Sequence, residues 1–284
     1  YTFTSPPNQI ISGPIIPQEY PPLTSEIIEW LDNSQDNRPV VYISFGTLAP
    51  MPNSTITAIL ANIQGKNYRV LWSLRKDFQQ VNPLVTDKLY NTRDVLISAW
   101  VPQLAALAHE KVKLFVSHCG FNSVHESLYM GKPIVAVPVF GDQFELARRV
   151  QVSNTGVVID TNVIAPQYES KGKFILDDAI QLVLNNQSFT EKAQVLSVII
   201  NGAKGVESIT RQLSVFAQVG IDHLIPMQLS LPWYERSSLD LLAILAVTIF
   251  LSYKLFKWAL CGLCCRATTK RPQQEAIDSV KKSQ

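Results

Sequence analysis

The sequence predicts an α/β protein built on a doubly wound parallel sheet. Three observations carry this expectation. Short runs rich in Val, Ile and aromatic residues recur between Pro39 and Ile159, and they are nearly continuous in hydrophobicity rather than alternating. Strands covered by helices on both faces have this character, because water reaches neither side. Segments long enough for helices separate the runs, and βα alternation favours parallel strands joined by crossover helices. Polar and glycine-containing loops follow the runs, at the carboxyl ends where open α/β sheets bind ligands.

Residues 1–24 are rich in Pro, Ser and Thr and read as an extended connector. "SEIIEWLD" follows as a short amphipathic helix with Ser25 as its N-cap. Strands are expected at 39–45 (PVVYISF), 68–74 (YRVLWSL), 94–98 (DVLIS), 113–117 (KLFVS), 133–138 (PIVAVP) and 155–159 (TGVVI). Helices are expected at 53–65, 102–109, 122–130 and 143–152, with a helical region from 177 to 220 after them. From Leu231 the chain turns strongly apolar with aromatic flanks, and a polar, basic tail ends it.

Bulk properties narrow the classes. With 284 residues, 46% hydrophobic and 17% charged, the chain can build a sizeable core and is not a disordered polymer. A net charge of +2 gives no reason to expect a nucleic-acid partner. Of the four Cys, Cys261, Cys264 and Cys265 cluster near the C-terminus and only Cys119 lies in the main body, so no disulfide framework is expected. C-x-x-C-C without His partners is poor zinc chemistry. The opening "YTFTSPPNQI" has no initiator Met, basic n-region or apolar h-region; it is not a signal peptide and reads as a start in mid-protein.

The loops after the strands carry the chemistry. In "SFGT", Gly46 permits close backbone approach and Thr47 offers a hydroxyl and an amide to a phosphate; the plain alternative is an ordinary tight turn. In "SAWVPQ", Trp100 can stack on a base and Gln103 can pair with its edge; the alternative is a core Trp. The stretch "FVSHCGFNSVHES" is richer. Gly120 allows a sharp turn, and a helix begins near Asn122 or Ser123 with free amides and a positive dipole end, which suits phosphate. His118 can donate to the same oxygens, and Glu126, one turn on, can accept both hydroxyls of a ribose. The alternative is a capped helix with surface side chains, and His125, on another face, is read that way. In "PVFGDQFELA", Asp142 and Gln143 suit sugar hydroxyls, with helix capping by Asp142 as the competitor. Neither G-x-G-x-x-G after a strand nor G-x-x-x-x-G-K-[ST] is present, which weighs against dinucleotide and P-loop readings.

Residues 115–143, "FVSHCGFNSVHESLYMGKPIVAVPVFGDQ", resemble the signature of the UDP-glycosyltransferase superfamily, with His118, Gly120, Ser123, Glu126, Pro133, Pro138, Asp142 and Gln143 at its fixed places. The local departure is Cys119, where animal members usually have Gly. "PVVYISFGT", "WVPQ" and "GIDHL" are similar to further landmarks, and "LPWYERSSLDLL" resembles the approach to the membrane span of animal-type glucuronosyl- and glucosyltransferases. The resemblance implies the C-terminal, donor-binding half of a two-domain GT-B fold, Rossmann-like in architecture. It implies that Trp100 stacks on uracil, Gln103 contacts base or ribose, and Glu126 binds the ribose hydroxyls. Thr47, beside Gly46, would hold the diphosphate with His118, Asn122 and Ser123, beside Gly120, while Asp142 and Gln143 bind the sugar. It further implies inverting transfer of a hexosyl or glucuronosyl group from a UDP-sugar, a co-substrate rather than a cofactor, to a hydroxyl of a small lipophilic acceptor. No metal or other cofactor is implied. The family's catalytic base is a His in the N-terminal domain, absent from these residues. The chain alone is therefore expected to bind donor without efficient turnover; the alternative is an inactive fragment that binds UDP-sugar or pairs with a full-length enzyme.

The domain layout expected is a connector at 1–24, a UDP-sugar-binding domain at 25–225, a juxtamembrane segment at 226–238, a transmembrane helix at 239–263 and a cytosolic tail at 264–284. Leu241 to Tyr253 carries no charge, and the span reaches sufficient length if Lys254 and Lys257 snorkel. Trp233, Tyr234 and Trp258 suit the interfaces, and the basic residues that follow suit the cytosolic side. The final "KKSQ" resembles a dilysine retrieval signal of the endoplasmic reticulum. The expected arrangement is single-pass type I, in contact with membrane lipid, with the main body lumenal; Asn53 and Asn186 are then glycosylation candidates. The Cys cluster suits palmitoylation or apolar packing equally. Oligomeric state is left open, a homo-oligomer included.

Overall fold

The computed structural model describes residues 12–33, 35–86, 92–159, 175–220 and 231–269. The first eleven residues, most of "GIDHL" and the "KKSQ" tail lie outside the described residues. The chain divides into two compact units, Ile11–Ser214 and a second of Tyr1–Ile10 with Val215–Gln284.

In the first unit the order is α1 (Ser25–Leu31), β1 (Val40–Ser44), α2 (Asn53–Ile63), β2 (Arg69–Ser73), α3 (Lys76–Val81), α4 (Pro83–Thr86), β3 (Val95–Ser98), α5 (Gln103–Ala108), β4 (Val112–Ser117), α6 (Phe121–Tyr129), β5 (Ile134–Ala136), α7 (Gln143–Val152), β6 (Gly156–Val158), α8 (Ile175–Asn185) and α9 (Gln187–Ala203), followed by α10 (Gly205–Val219), which runs past the unit's end at Ser214. All the strands expected from the apolar runs form. They make a parallel six-stranded sheet in the order β3-β2-β1-β4-β5-β6. Each strand is shorter than or about equal to its apolar run. Flanking apolar residues such as Phe45 and Leu74 pack into the core beyond the strand ends, with Leu74 N still donating to Ser98 O at 2.9 Å.

Helices cover both faces. On one face Val41, Ile43, Val70 and Trp72 pack against α2 (Ile56, Ile59, Leu60, Ile63) and α8 (Ile180, Val183). On the other, Tyr42, Leu71 and Phe115 meet α1 and α5, while Ile134 and Ala136 meet α6, α7 and α9. The order reverses between β1 and β4, so the crossovers diverge there and leave a crevice at the carboxyl ends of the strands.

Some local expectations change. Thr24, not Ser25, caps α1: Thr24 is extended (φ −67, ψ 154) and its hydroxyl accepts from Ile27 N, while Ser25 is already helical. α3 and α4 were not expected; they are short pieces with no strong apolar period. The helical region near 177–220 is three helices. Asn186 breaks it by capping α9, its side chain accepting from Ser188 N at 3.1 Å, and Lys204 ends α9 in a left-handed conformation (φ 48). Asn53 and Asn186 are both exposed.

The amino ends of the strands are tied by charge. Asp36 is 3% exposed and holds Arg38 (2.7 Å) and Arg93 (3.0 Å), and Arg38 also reaches Asp94 at 2.6 Å. Arg69, fully buried, donates to the carbonyls of Trp30 and Leu31 and lies 3.8 Å over the Trp30 ring. The loop before β1 is thus fastened to the starts of β2 and β3.

In the second unit, α11 (Trp233–Arg236) precedes α12 (Leu239–Thr269). Leu239–Leu260, 22 residues of mean hydropathy 1.9 with no buried share, is long and apolar enough to cross a membrane. At about 1.5 Å per residue it spans about 33 Å, against a hydrocarbon core of about 30 Å.

Arg38, above all, holds the Asp36 carboxyl well below the usual carboxylate range. Its contribution is therefore full above the unfolded-state pKa and is lost as pH falls through the folded value. Asp36→Asn is expected to lower unfolding free energy by about 2 kcal/mol at neutral pH, with the gap to wild type closing below about pH 4. Urea denaturation across pH checks both.

Candidate functional site

The crevice at the β1/β4 reversal is a cleft of about 660 Å³. A repeated local device builds it. β1, β2, β3 and β4 all end in Ser, and Ser98, Ser73, Ser44 and Ser117 lie in register across the sheet. Where the ladder stops, three of these hydroxyls take over. Ser44 accepts from Gly46 N (3.4 Å), Ser117 accepts from Cys119 N (3.1 Å), and Ser98 donates to Trp100 O (3.0 Å). Each serine thereby holds the residue two places on. Ser73 and Ser44 also hydrogen-bond the buried Tyr42 phenol, whose ring stacks on Phe115 at 5.0 Å.

His118 sits between two glycines. A Cβ on Gly46 would lie 2.7 Å from its Cε1, and one on Gly120 would lie 2.6 Å from its Nε2. Gly46 has φ +71, which only glycine adopts at ease. His118 Nδ1 is buried without a hydrogen bond, and Nε2 is the nitrogen that lies against the two glycines. Burial pushes the His118 pKa down, partly opposed by the Ser44 backbone and the Asp142 charge. The imidazole is therefore neutral at rest and gains from a nearby anion. Gly120 is the N-cap of α6 and lends no side chain to the first amides of the helix. Thr47 and Asn122 are exposed beside that helix end, within the cleft lining. Cys119, at the turn, is left-handed (φ 62) and buried, with its thiol pushed up to about 12 by burial. That backbone explains why Gly is usual here.

At the other side of the cleft Trp100 is 68% exposed, so it is not a core residue. Gln103, the first residue of α5, donates to Glu126 Oε2 (2.7 Å) and to Ser123 Oγ (3.2 Å), which ties α5 to α6. Burial raises the Glu126 pKa, and the Gln103 bond partly counters this. His125 contacts the Phe121 carbonyl at 2.7 Å and does not line the cleft. Asp142 precedes α7 without making a side-chain cap, so its carboxylate stays available. Gln143 is different: it is buried, and its Oε1 accepts from Val139 N (2.9 Å) and Phe140 N (3.1 Å). What it can offer a ligand is its amide nitrogen.

All eleven residues singled out from the sequence thus line one cleft. Sequence reasoning missed its floor, Tyr42, Ser44 and Ser73, and its neighbour Arg75, though a Ser at the end of four successive apolar runs was a readable signal. It also missed that Pro17, Glu19, Tyr20 and Pro21 of the connector form part of the wall. Among the described residues no three His, Cys, Asp or Glu gather to hold a metal ion.

Comparison with known proteins agrees with this geometry. The family model for UDP-glucuronosyl and UDP-glucosyl transferases matches residues 3–272. The chain is 32% identical over 194 residues to the 2-hydroxyacylsphingosine 1-beta-galactosyltransferase of Rattus norvegicus, covering 68% of this chain and 33% of that protein. It is 29% identical over 266 residues to human UDP-glucuronosyltransferase 1A9, covering 91% and 46%. It also resembles the crystal structure of Os79 from O. sativa in complex with UDP, with TM-score 0.53 and 27% identity over 62% of this chain and 38% of that one. The chain therefore spans about a third to a half of the relatives it matches. Its sheet is one half of a GT-B arrangement, as the sequence led us to expect, and the chain belongs to the UDP-glucuronosyl and UDP-glucosyl transferase family.

Proposed function

We propose that this chain is the donor-binding half of a membrane-anchored UDP-glycosyltransferase. The observation that carries the reading is the pairing, in one cleft, of a phosphate cradle with an exposed Trp100 ring. Gly46, Thr47, His118, Gly120, Asn122 and Ser123 make the cradle, and Gln103 and Glu126 lie with the ring. In this reading the diphosphate takes the amides at the start of α6 and the His118 Nε2, and uracil stacks on Trp100. Glu126 accepts the ribose hydroxyls, and Asp142 with the Gln143 amide meets the sugar. In the transfer step an acceptor hydroxyl loses its proton, its oxygen attacks the anomeric carbon, and the bond to the diphosphate breaks with inversion. The cradle stabilises the charge that grows on the leaving UDP. The acceptor, a small lipophilic alcohol, and the base that takes its proton would come from the part of the relatives' length that this chain does not cover. The chain alone would then bind donor and turn it over poorly. Glucose and glucuronic acid both suit the Asp142–Gln143 end.

The anchor in this proposal is α12, with the sheet unit lumenal and the basic C-terminus cytosolic. The chain is expected to remain with membranes through an alkaline carbonate wash, and a variant ending at residue 238 to be released; release of the whole chain would remove the anchor.

Calorimetry of the full chain in detergent tests the site. UDP should bind, and Trp100→Ala should weaken it about tenfold or more. Gly120→Ala, which drives a methyl into the His118 ring, should weaken it similarly while thermal unfolding stays intact. A folded chain that ignores UDP ends the donor reading.

Proton linkage gives a second check. The bound diphosphate favours the imidazolium, so binding raises the lowered His118 pKa and takes up a proton. Affinity for UDP-glucose should strengthen as pH falls toward the free-protein pKa and level off below it. His118→Asn should abolish both the slope and the proton uptake seen on changing buffer.

A further inference from the structure

Among the described residues that line the cleft, Arg75 is the only Lys or Arg. A fixed cation beside a site for a doubly charged diphosphate invites the view that it holds the phosphate. The geometry points elsewhere. The Arg75 guanidinium is already engaged on two sides: Nε meets Asp77 Oδ1 at 3.1 Å and Nη2 meets Asp77 Oδ2 at 2.6 Å, a bidentate pair that fixes its plane. The group also lies 4.9 Å over the Phe78 ring. So held, Nη1 donates to the backbone carbonyl of Thr47.

The turn at Thr47 needs such a hold. After β1 the ladder is gone, and the Ser44 contact to Gly46 N is long, at 3.4 Å. Gly46 in turn is one of the two walls against which the His118 ring rests. The Thr47 hydroxyl and amide, Gly46 and, through it, His118 therefore depend on where this turn is set. Arg75 sets it from the start of α3, just past β2, through a fork whose other prongs are tied to Asp77.

We propose that Arg75 is a positioning residue for the diphosphate end of the donor site: it fixes the Thr47 turn through its carbonyl and does not itself bind the ligand's charge. This rests on the donor-binding reading above. An arginine that grips phosphate and one that props a turn are both needed for binding, so loss of Arg75 alone does not separate them. Asp77 does. If Arg75 is a prop, removing the carboxylate loosens the fork and weakens binding. If Arg75 is a phosphate ligand restrained by its neighbour, removing the carboxylate frees it and tightens binding.

The experiment uses the full chain in detergent, with UDP followed by calorimetry and uridine by ligand-observed NMR. Arg75→Ala is expected to weaken UDP about tenfold and leave uridine unchanged, because the base and ribose contacts lie on α5 and α6. Asp77→Asn should weaken UDP by a smaller factor in the same direction, and Arg75→Lys, which lacks the fork, should not restore it. Thermal midpoints confirm that the variants fold. Tighter UDP binding by Asp77→Asn overturns the proposal, as do equal losses for UDP and uridine, or no loss in Arg75→Ala. A wild-type chain that binds neither probe removes the donor reading and this inference together; a wild type that binds both while the variants are unaffected removes only the inference.

Discussion

Parallel strands that stop at one level release their backbone groups together, and whatever replaces the lost ladder decides where the loops go. Here the replacement is a serine hydroxyl at the end of four neighbouring strands. Three of the four reach two residues forward, to Gly46, Cys119 and Trp100. Those tethers set the Gly46 and Cys119 turns and the loop that carries the exposed Trp100 ring. The fourth, Ser73, joins Ser44 on the Tyr42 hydroxyl and closes the floor. Buried polar groups must find partners, so the strand ends and the site are one solution to one requirement.

The two ends of the sheet are treated oppositely. At the amino ends, charge is neutralised internally: Asp36 collects arginines, and Arg69 is saturated by carbonyls and an aromatic face. At the carboxyl ends, capacity is left over. The His118 Nδ1 has no partner, α6 begins on a glycine, and the Asp142 carboxylate makes no cap. One left-handed residue, Cys119, also lies there, while Asn154, Lys204 and Ser238 take the same backbone region elsewhere among the described residues.

Much of the fold was legible because burial on both faces writes itself as continuous apolar runs, and every such run became a strand. The residues that meet in the cleft could be picked out because each lies in the loop after a strand or in the first turns of the helix that follows, where topology sends ligands. What escaped depends on distance in sequence or on alternatives of nearly equal propensity. Thr24 and Ser25 cap equally well, and only the turn geometry chooses between them. α3 and α4 are too short for a period to register. The connector wall at Glu19 and Tyr20 and the reach from Arg75 to Thr47 are tertiary facts with no local trace. The Gln143 amide was placed correctly in the cleft, yet its oxygen is turned inward to the Val139 and Phe140 amides, an orientation that sequence alone does not encode.

The turn between β4 and α6 carries a sulfur atom next to His118, at the edge of the cleft. Electrophiles and peroxides attack thiolates that solvent can reach. The Cys119 thiol is fully enclosed and stays protonated at physiological pH. This turn is therefore closed to alkylating agents and oxidants while the fold holds, and a cysteine-directed covalent inhibitor would find no foothold there. Labelling of Cys119 would report unfolding, which makes this one atom a built-in gauge of whether the turn is intact.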